Sequence, residues 1–371
     1  MTLKKVFVCC ISIFIILTTA SCWDSMDIDS KALISLVITD KQDDEFVFYV
    51  EVPNLEISQT PEGGSGKEQY SVVNGRGKNY MEARQELDSK MDKLLFLGTV
   101  GSLVLTKNLI THGLEEYMLR LQNTVDYRKA LNIVTTFEKP EDLLSPEPEN
   151  NISIGYSIQD TLNTLSDLDL IITYTTSDIL DFMHSDYCFI LPNIDLKEGR
   201  LAINGYTIIH ENKYLNFIPL NKSKGVLFIL EDKATTRYVV PFDKYEATVE
   251  VRMKKRKIRP NYLINNISYE LDFTFNSKLI YLNKDITLDK TMLEEIKKNL
   301  EELILKDISE AIKNSKSLQC DYLGFKEQFR IRYPNEVKTI NWEPTYKQAQ
   351  FDISIKTSLN PGGMIDYTTK K

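Results

Sequence analysis

The sequence predicts an α+β protein of three domains, with mixed and mostly antiparallel sheets and a long amphipathic helix in the C-terminal domain. Three observations carry that reading. Several segments alternate apolar and polar residues, as where Val249, Val251 and Met253 flank Glu250 and Arg252, the pattern of a strand with one wet face. Residues 290–314 carry one unbroken apolar stripe at helical spacing. Strands and helices follow one another irregularly, whereas a doubly wound parallel sheet needs regular strand–helix alternation. The expected units are a leader over 1–21, an N-terminal α+β domain over 22–190, a small β-rich middle domain over 191–242, and a C-terminal α+β domain over 243–371.

The leader comes first. Lys4 and Lys5 precede an apolar run over residues 6–17, and small polar residues 18–21 lead into Cys22. That run is shorter than the ~20 residues that span a bilayer as a helix, and its charge order is that of an export signal. Small residues leading directly into a cysteine resemble the bacterial lipobox, whose cysteine is acylated and becomes the new N-terminus, although Thr19 stands where Leu is usual. Cys22 is therefore the expected lipid attachment site; an uncleaved anchor and ordinary secretion are the alternatives. Cleavage before Cys22 removes two lysines and takes the net charge from −8 to −10. Cys9 and Cys10 leave with the leader. The remaining Cys188 and Cys320 could form one disulfide in an exported protein, but nothing in their spacing forces it, and their apolar and aromatic neighbours favour two small buried hydrophobes.

The mature chain opens on a short β-branched and aromatic strand at 45–52. Residues 58–79 collect glycine and read as a loop interrupted by a short strand at 70–73. A helix follows, with Ala83, Leu87, Met91 and Leu94 on one face, then 94–105 as a strand buried on both sides. A helix at 113–122, a strand at 130–137, a proline-rich loop at 139–151 and helices at 157–165 and 177–184 complete the first domain. The middle domain holds a hairpin of 201–210 with 214–218, turning at Glu211 and Asn212. In the last domain, alternating strands around 249–253 and 269–275 precede the long helix. Its stripe runs Leu293, Ile296, Leu300, Leu303, Ile304, Ile308, Ala311 and Ile312, and Thr291 with Glu294 has capping-box spacing. One apolar face requires one partner surface, so this helix should lie across a sheet. A strand at 351–356 closes the pattern.

Composition excludes several classes. A hydrophobic fraction of 42% with only 15 glycines and 12 prolines rules out disorder and collagen. The acidic balance argues against nucleic-acid binding, which needs a broad basic surface. Chemistry is hard to find. His112, His184 and His210 each stand alone, without a second ligand at helical spacing. Residues 63–67 look like the end of a phosphate-binding loop, but Pro61 occupies its first Gly position and Glu68 stands where Ser or Thr is required. The run Gly75, Arg76, Gly77, Lys78 lacks the third Gly of a dinucleotide fingerprint, and Asp167 with Asp169 reads as ordinary loop chemistry. No catalytic, cofactor-binding or metal-binding residue is assigned, and no enzyme is expected.

One charge run stands out. Arg252, Lys254, Lys255, Arg256, Lys257 and Arg259 put six positive charges into eight residues of an acidic chain. A solvated strand edge protected by its charges is the favoured reading, and weak contact with an anionic lipid surface or acidic partner is the alternative.

Cys22, Trp23 and Asp24, followed by Asp27 and Ile28, resemble the mature N-terminus of the Ger(x)C family, the lipoprotein C subunits of nutrient germinant receptors in endospore-forming bacteria. Further matches follow in the family's order. Residues 77–87 are similar to its Gly-x-Thr-x-x-Glu-Ala segment and helix, and 94–107 to the strand after it. Asp321 to Phe325, then Tyr333 with Pro334, then Trp342, look like its Asp-x-x-Gly-x-Gly, Tyr-Pro and Trp series. Thr99 stands where a His is frequent, Lys326 replaces the second Gly, and residues 34–40 depart from an early Gly-x-Gly-x-Asp run. The resemblance implies a three-domain ectodomain, lipid-anchored through Cys22 on the outer face of the spore inner membrane. It implies assembly with two membrane-embedded partners, the A-type and B-type subunits, and a role in spore germination in response to small nutrients. Two rivals are a lipoprotein solute-binding receptor of a transporter, which calls for two similar α/β lobes around a cleft, and an exported hydrolase, which calls for clustered acid, base or metal ligands.

Overall fold

The computed structural model describes residues 28–54, 70–124, 127–145, 153–185, 187–263, 266–284 and 288–361, and Phe7 besides. The expected export run, Cys22 and residues 58–69 of the glycine-rich stretch lie outside the described residues.

The first half contains β1 (Lys31–Leu33), β2 (Leu36–Gln42), β3 (Glu45–Pro53), β4 (Tyr70–Gly77), α1 (Tyr80–Ser89), β5 (Leu94–Phe96), β6 (Ser102–Thr106), α2 (Lys107–His112), α3 (Glu115–Asn123), β7 (Asn132–Thr136), α4 (Pro140–Leu143), α5 (Ile154–Asp167) and α6 (Thr176–His184). With β8 (Phe189–Lys197), β9 (Arg200–His210) and β10 (Lys213–Pro219) these strands, apart from β1 and β5, which pair with each other, build an eight-stranded sheet of order β10-β9-β8-β7-β6-β2-β3-β4. Its centre, across β2, β6, β7 and β8, is parallel, and both flanks are antiparallel. Leu103, Leu105 and Ile133 face one apolar core while Val104 and Val134 face the other, so the central strands read as continuous apolar runs. The single strand expected at 94–105 is broken: residues 94–96 pair with β1, a 3-10 turn spans Leu97–Thr99, and only from Ser102 does the chain enter the large sheet. Gly98 and Gly101 sit in that break.

The second half runs through α7 (Lys224–Leu230), β11 (Thr235–Phe242), β12 (Tyr245–Leu263), β13 (Asn266–Leu282), α8 (Lys290–Leu318), α9 (Phe325–Arg332), α10 (Trp342–Gln348) and β14 (Gln350–Asn360). The last four strands form a second sheet in sequence order, antiparallel except for the parallel pair β13 and β14. As the stripe requires, α8 lies across this sheet, packing Ile296, Leu300, Ile304, Ile308 and Ile312 into one core with Val249, Val251, Phe273 and Phe275. Its N-cap differs from the expected Thr291: the Asp289 carboxylate accepts the Met292 N–H at 2.8 Å.

The segment expected as a separate middle unit has no sheet of its own. β9 and β10 extend the first sheet, with the hairpin turn at Glu211 and Asn212 in positive φ as a primed turn needs, while β11 opens the second sheet. The reason lies in side-chain alternation. Ile209 and Leu191 face the core of the first half, whereas Ile190, Tyr206, Ile208 and Ile218 join the core of the second. Strands that feed two cores at once cannot be wrapped around a private one. The two sheets are unlike in size and topology, which departs from the paired lobes of a solute receptor.

Candidate functional site

The feature that joins the halves is built where α8 ends. Gln319 turns the chain in left-handed conformation, Cys320 is buried, and Asp321, Tyr322, Leu323 and Gly324 lead into α9. Gly324 adopts φ of 76°, a value glycine takes without strain, and has no side chain with which to cap the helix. Asp321 supplies the cap instead: its carboxylate accepts the N–H of Phe325 at 3.1 Å and that of Lys326. Burial pushes the Asp321 carboxyl up to about 6, against the opposing pull of the backbone N–H groups of Lys326, Phe325 and Leu323. Tyr322 donates from its hydroxyl to Asn314 Oδ1 at 2.8 Å, and Phe325 is fully buried. Within the Asp-Tyr-Leu-Gly-Phe run the aspartate caps the helix, the glycine makes the turn, and Tyr322, Leu323 and Phe325 are buried in the core.

Cys188, just before β8, and Cys320 form a disulfide with Cα atoms 5.6 Å apart. The preference for two separate buried thiols is therefore corrected. Buried neighbours and disulfide bonding are compatible, and the fold brings together what sequence separation hid. The bond lies on a cleft of about 220 Å³ at the seam. Tyr174, Phe182 and Phe189 line it from the first half, and Ile229, Leu230 and Ile258 from the second. Several of its polar groups are engaged. Tyr187 donates to Glu327 at 2.7 Å, and burial with that bond pushes the phenol up to about 12. Arg256 donates to the Ile229 carbonyl and pairs with Asp232 at 2.7 Å; burial lowers its pKa. Lys326, at the family's second Gly position, places its ammonium 5.2 Å from the Tyr187 ring.

The basic run lies along β12, where the arginines are matched to acids on neighbouring elements. Arg252 pairs with Asp169 at 3.3 Å, and Arg259 with Glu270 at 3.1 Å and Asp272 at 2.6 Å. The three histidines stay apart. His112 bonds the Asn108 carbonyl, His184 ends α6, and His210 lies 3.6 Å from Glu343. Among the described residues no group of three or more His, Cys, Asp or Glu could hold a metal ion. Gly77 ends β4 under α1, where an added Cβ would lie 2.4 Å from the Ala83 nitrogen, while Asn79 caps the helix and Glu82 accepts the Lys78 N–H at 3.1 Å. Thr99 bonds the Ile34 carbonyl at 3.0 Å, and Trp342 stacks on Tyr346.

Sequence reading missed two carboxylate sites. Glu51 is wholly buried on β3 and accepts from Ser35 and Ser153 hydroxyls and from the N–H groups of Ile154 and Gly155. Glu138 and Asp195 share a hydrogen bond that raises the pKa of the first and lowers that of the second. An acid set between two valines at the end of the apolar stretch 46–53 was the available signal for Glu51.

Two unlike sheets, a disulfide across their seam and a glycine turn capped by an aspartate define an α+β class whose described site offers surfaces and a cleft. Residues 24–196 match the family described as the spore germination protein N-terminal domain, and 204–363 the spore germination B3/GerAC-like C-terminal domain; the chain belongs to this spore germination family. It is 23% identical over 375 residues to spore germination protein A3 of Bacillus subtilis, covering 97% of this chain and 98% of that protein. To spore germination protein KC of the same organism it is 20% identical over 409 residues, covering 97% of each. Its fold is similar to the crystal structure of the GerBC protein, with a TM-score of 0.58 at 13% identity over 87% of this chain and 96% of that one.

Proposed function

We propose that the chain is the lipid-anchored C-type subunit of a nutrient germinant receptor, needed for spore germination and acting through assembly with the membrane-embedded A-type and B-type subunits. The observation that carries this reading is the pair of spore germination matches, which fall in order over nearly all of the mature sequence. In this reading Cys22 is acylated and holds the domains at the outer face of the spore inner membrane, where a tether raises the effective concentration of the partners. Two features support export and anchoring. The Cys188–Cys320 bond suits an oxidising compartment, and small residues lead directly into Cys22, as they do at a lipoprotein acylation site. The subunit works by contact and catalyses no reaction.

The test is deletion of the gene in the spore former, scored by dipicolinate release on nutrient addition. Loss of the response, restored by the wild-type gene and poorly by Cys22→Ala, is expected. Spores that respond normally to every nutrient tried would overturn the proposal.

A further inference from the structure

β11 begins at Thr235, opposite Arg252, whereas β12 runs on to Leu263. From Lys254 onward β12 pairs with β13 alone, so among the described residues its other edge carries no strand. A bulge between Met253 and Lys255 marks the point where the partner is lost. Beside this bare edge lies the 220 Å³ cleft, into which β12 contributes Arg256 and Ile258. Lys254, Lys255 and Lys257 are exposed and make no ion pair among the described residues, while the three arginines of the same run are all paired. The positive charge left uncompensated therefore sits at one place: the unpaired edge beside an apolar cleft.

Lysines on an edge also serve to discourage chance strand pairing. That role needs no concave apolar space beside the edge. A flat lipid surface would meet the lysines but leave the cleft unfilled. We infer that the edge of β12 from Lys254 to Ile258 is a strand-addition site for an extended acidic segment of a partner protein. The segment hydrogen-bonds along the edge, places an apolar side chain in the cleft and sets its carboxylates against Lys254, Lys255 and Lys257. The inference goes beyond the receptor reading and does not depend on it, because its probe is a peptide and not a germination response.

The full chain in detergent is titrated with fluorescent eight-residue peptides that alternate Glu with Val, Leu or Phe, and with the same peptides N-methylated at alternate residues. Saturable binding by at least one unmodified peptide is expected, with loss on N-methylation. The triple variant Lys254→Glu, Lys255→Glu, Lys257→Glu should weaken it about tenfold or more, while an unchanged near-UV dichroism spectrum shows that the variant is folded. The methylation arm uses wild-type protein, so it stands even if the variant misfolds. Absence of binding by the whole peptide set overturns the inference. So does equal binding of methylated peptide, which would mean charge alone, or lysine-dependent binding to phosphatidylglycerol vesicles without peptide binding, which would mean a lipid surface.

Discussion

The first sheet buries Asp40, Glu51, Thr135, Asn193 and Thr207 among its apolar residues, whereas the second builds its core from Phe273, Phe275, Phe325, Phe329 and Tyr346. In the first half, Glu51 accepts four bonds at 2.7 to 2.9 Å, three from Ser153, Ile154 and Gly155 at the start of α5 and one from Ser35, and Thr135 bonds both Asn193 and Thr207 across three strands. In the second, Phe325 alone meets Tyr269, Tyr346 and Phe351 within 6.1 Å of its ring centre. Register in the first half is therefore held by directional bonds that only one arrangement satisfies. The second half relies more on shape and area, which tolerate adjustment.

Beyond the backbone itself, the disulfide is the covalent cross-link between these two regimes among the described residues, and its loss should have the largest effect. It closes 132 residues of sequence, so chain entropy alone assigns it about 5 kcal/mol. Cys188→Ser should lower urea-measured stability toward that amount and separate one cooperative transition into two, the polar half and the aromatic half melting apart. A single transition with an unchanged midpoint would mean that the shared core through Tyr206 and Ile208 already couples the halves fully.

Next in size is Glu51→Ala. Removing the acceptor leaves buried hydroxyls and N–H groups without a partner, which costs about 3 to 5 kcal/mol. The counterpart in the aromatic half, Phe325→Leu, keeps most of the volume and should cost less than about 1.5 kcal/mol. Denaturation midpoints of the two variants measure the contrast directly. If Phe325→Leu proves the costlier, the division between directional and shape-based cores is wrong.

The same contrast governs how much of the molecule was legible in its sequence. α8 was readable because its stripe, Ile296 to Ile312, answers to a single flat partner and repeats at a fixed period. The 211–212 turn and the strands β12 to β14 were readable for the same local reasons. Of the first sheet, single strands such as β3 and β7 were readable, but the sheet as one unit was not, because a central strand with a core on each side has no alternation to show, and because β8, β9 and β10 divide their side chains between two cores. The cleft depends on a pairing of residues 188 and 320 that no spacing announces. Resemblance of the Asp-Tyr-Leu-Gly-Phe run located the turn, but its capping role needed the N–H distances.

Asp321 tests the seam itself. Its folded carboxyl titrates near 6, above the ordinary aspartate value of about 3.9. The folded state therefore binds the proton more tightly, and the stability this group contributes is complete below pH ~4 and lost as pH rises through ~6, on the order of 2 to 3 kcal/mol. Compared with Asp321→Asn, the wild type should lose stability between pH 4 and 6.5 in urea titrations. A constant difference between the two proteins across that range would mean that the carboxyl is solvated like any surface acid, and that the cleft is wetter than its apolar walls imply.

The smallest effect separates two readings of the start of α8, the element on which the second half depends. Capping-box spacing favours Thr291 with Glu294, yet the bond to the Met292 N–H comes from Asp289. An N-cap residue must be extended while its side chain reaches forward two or three residues, and Asp289, at φ −91° and ψ 174°, is in that conformation. Thr291 is the second residue of the helix, past the cap position. Asp289→Ala should cost about 1 kcal/mol and Thr291→Ala a few tenths or less, read as shifts in the thermal midpoint. Because α8 spans the whole second sheet, fraying its first turn should loosen only residues 290–293. Hydrogen exchange would then quicken there and stay slow from Ile296 onward, where the stripe enters the core.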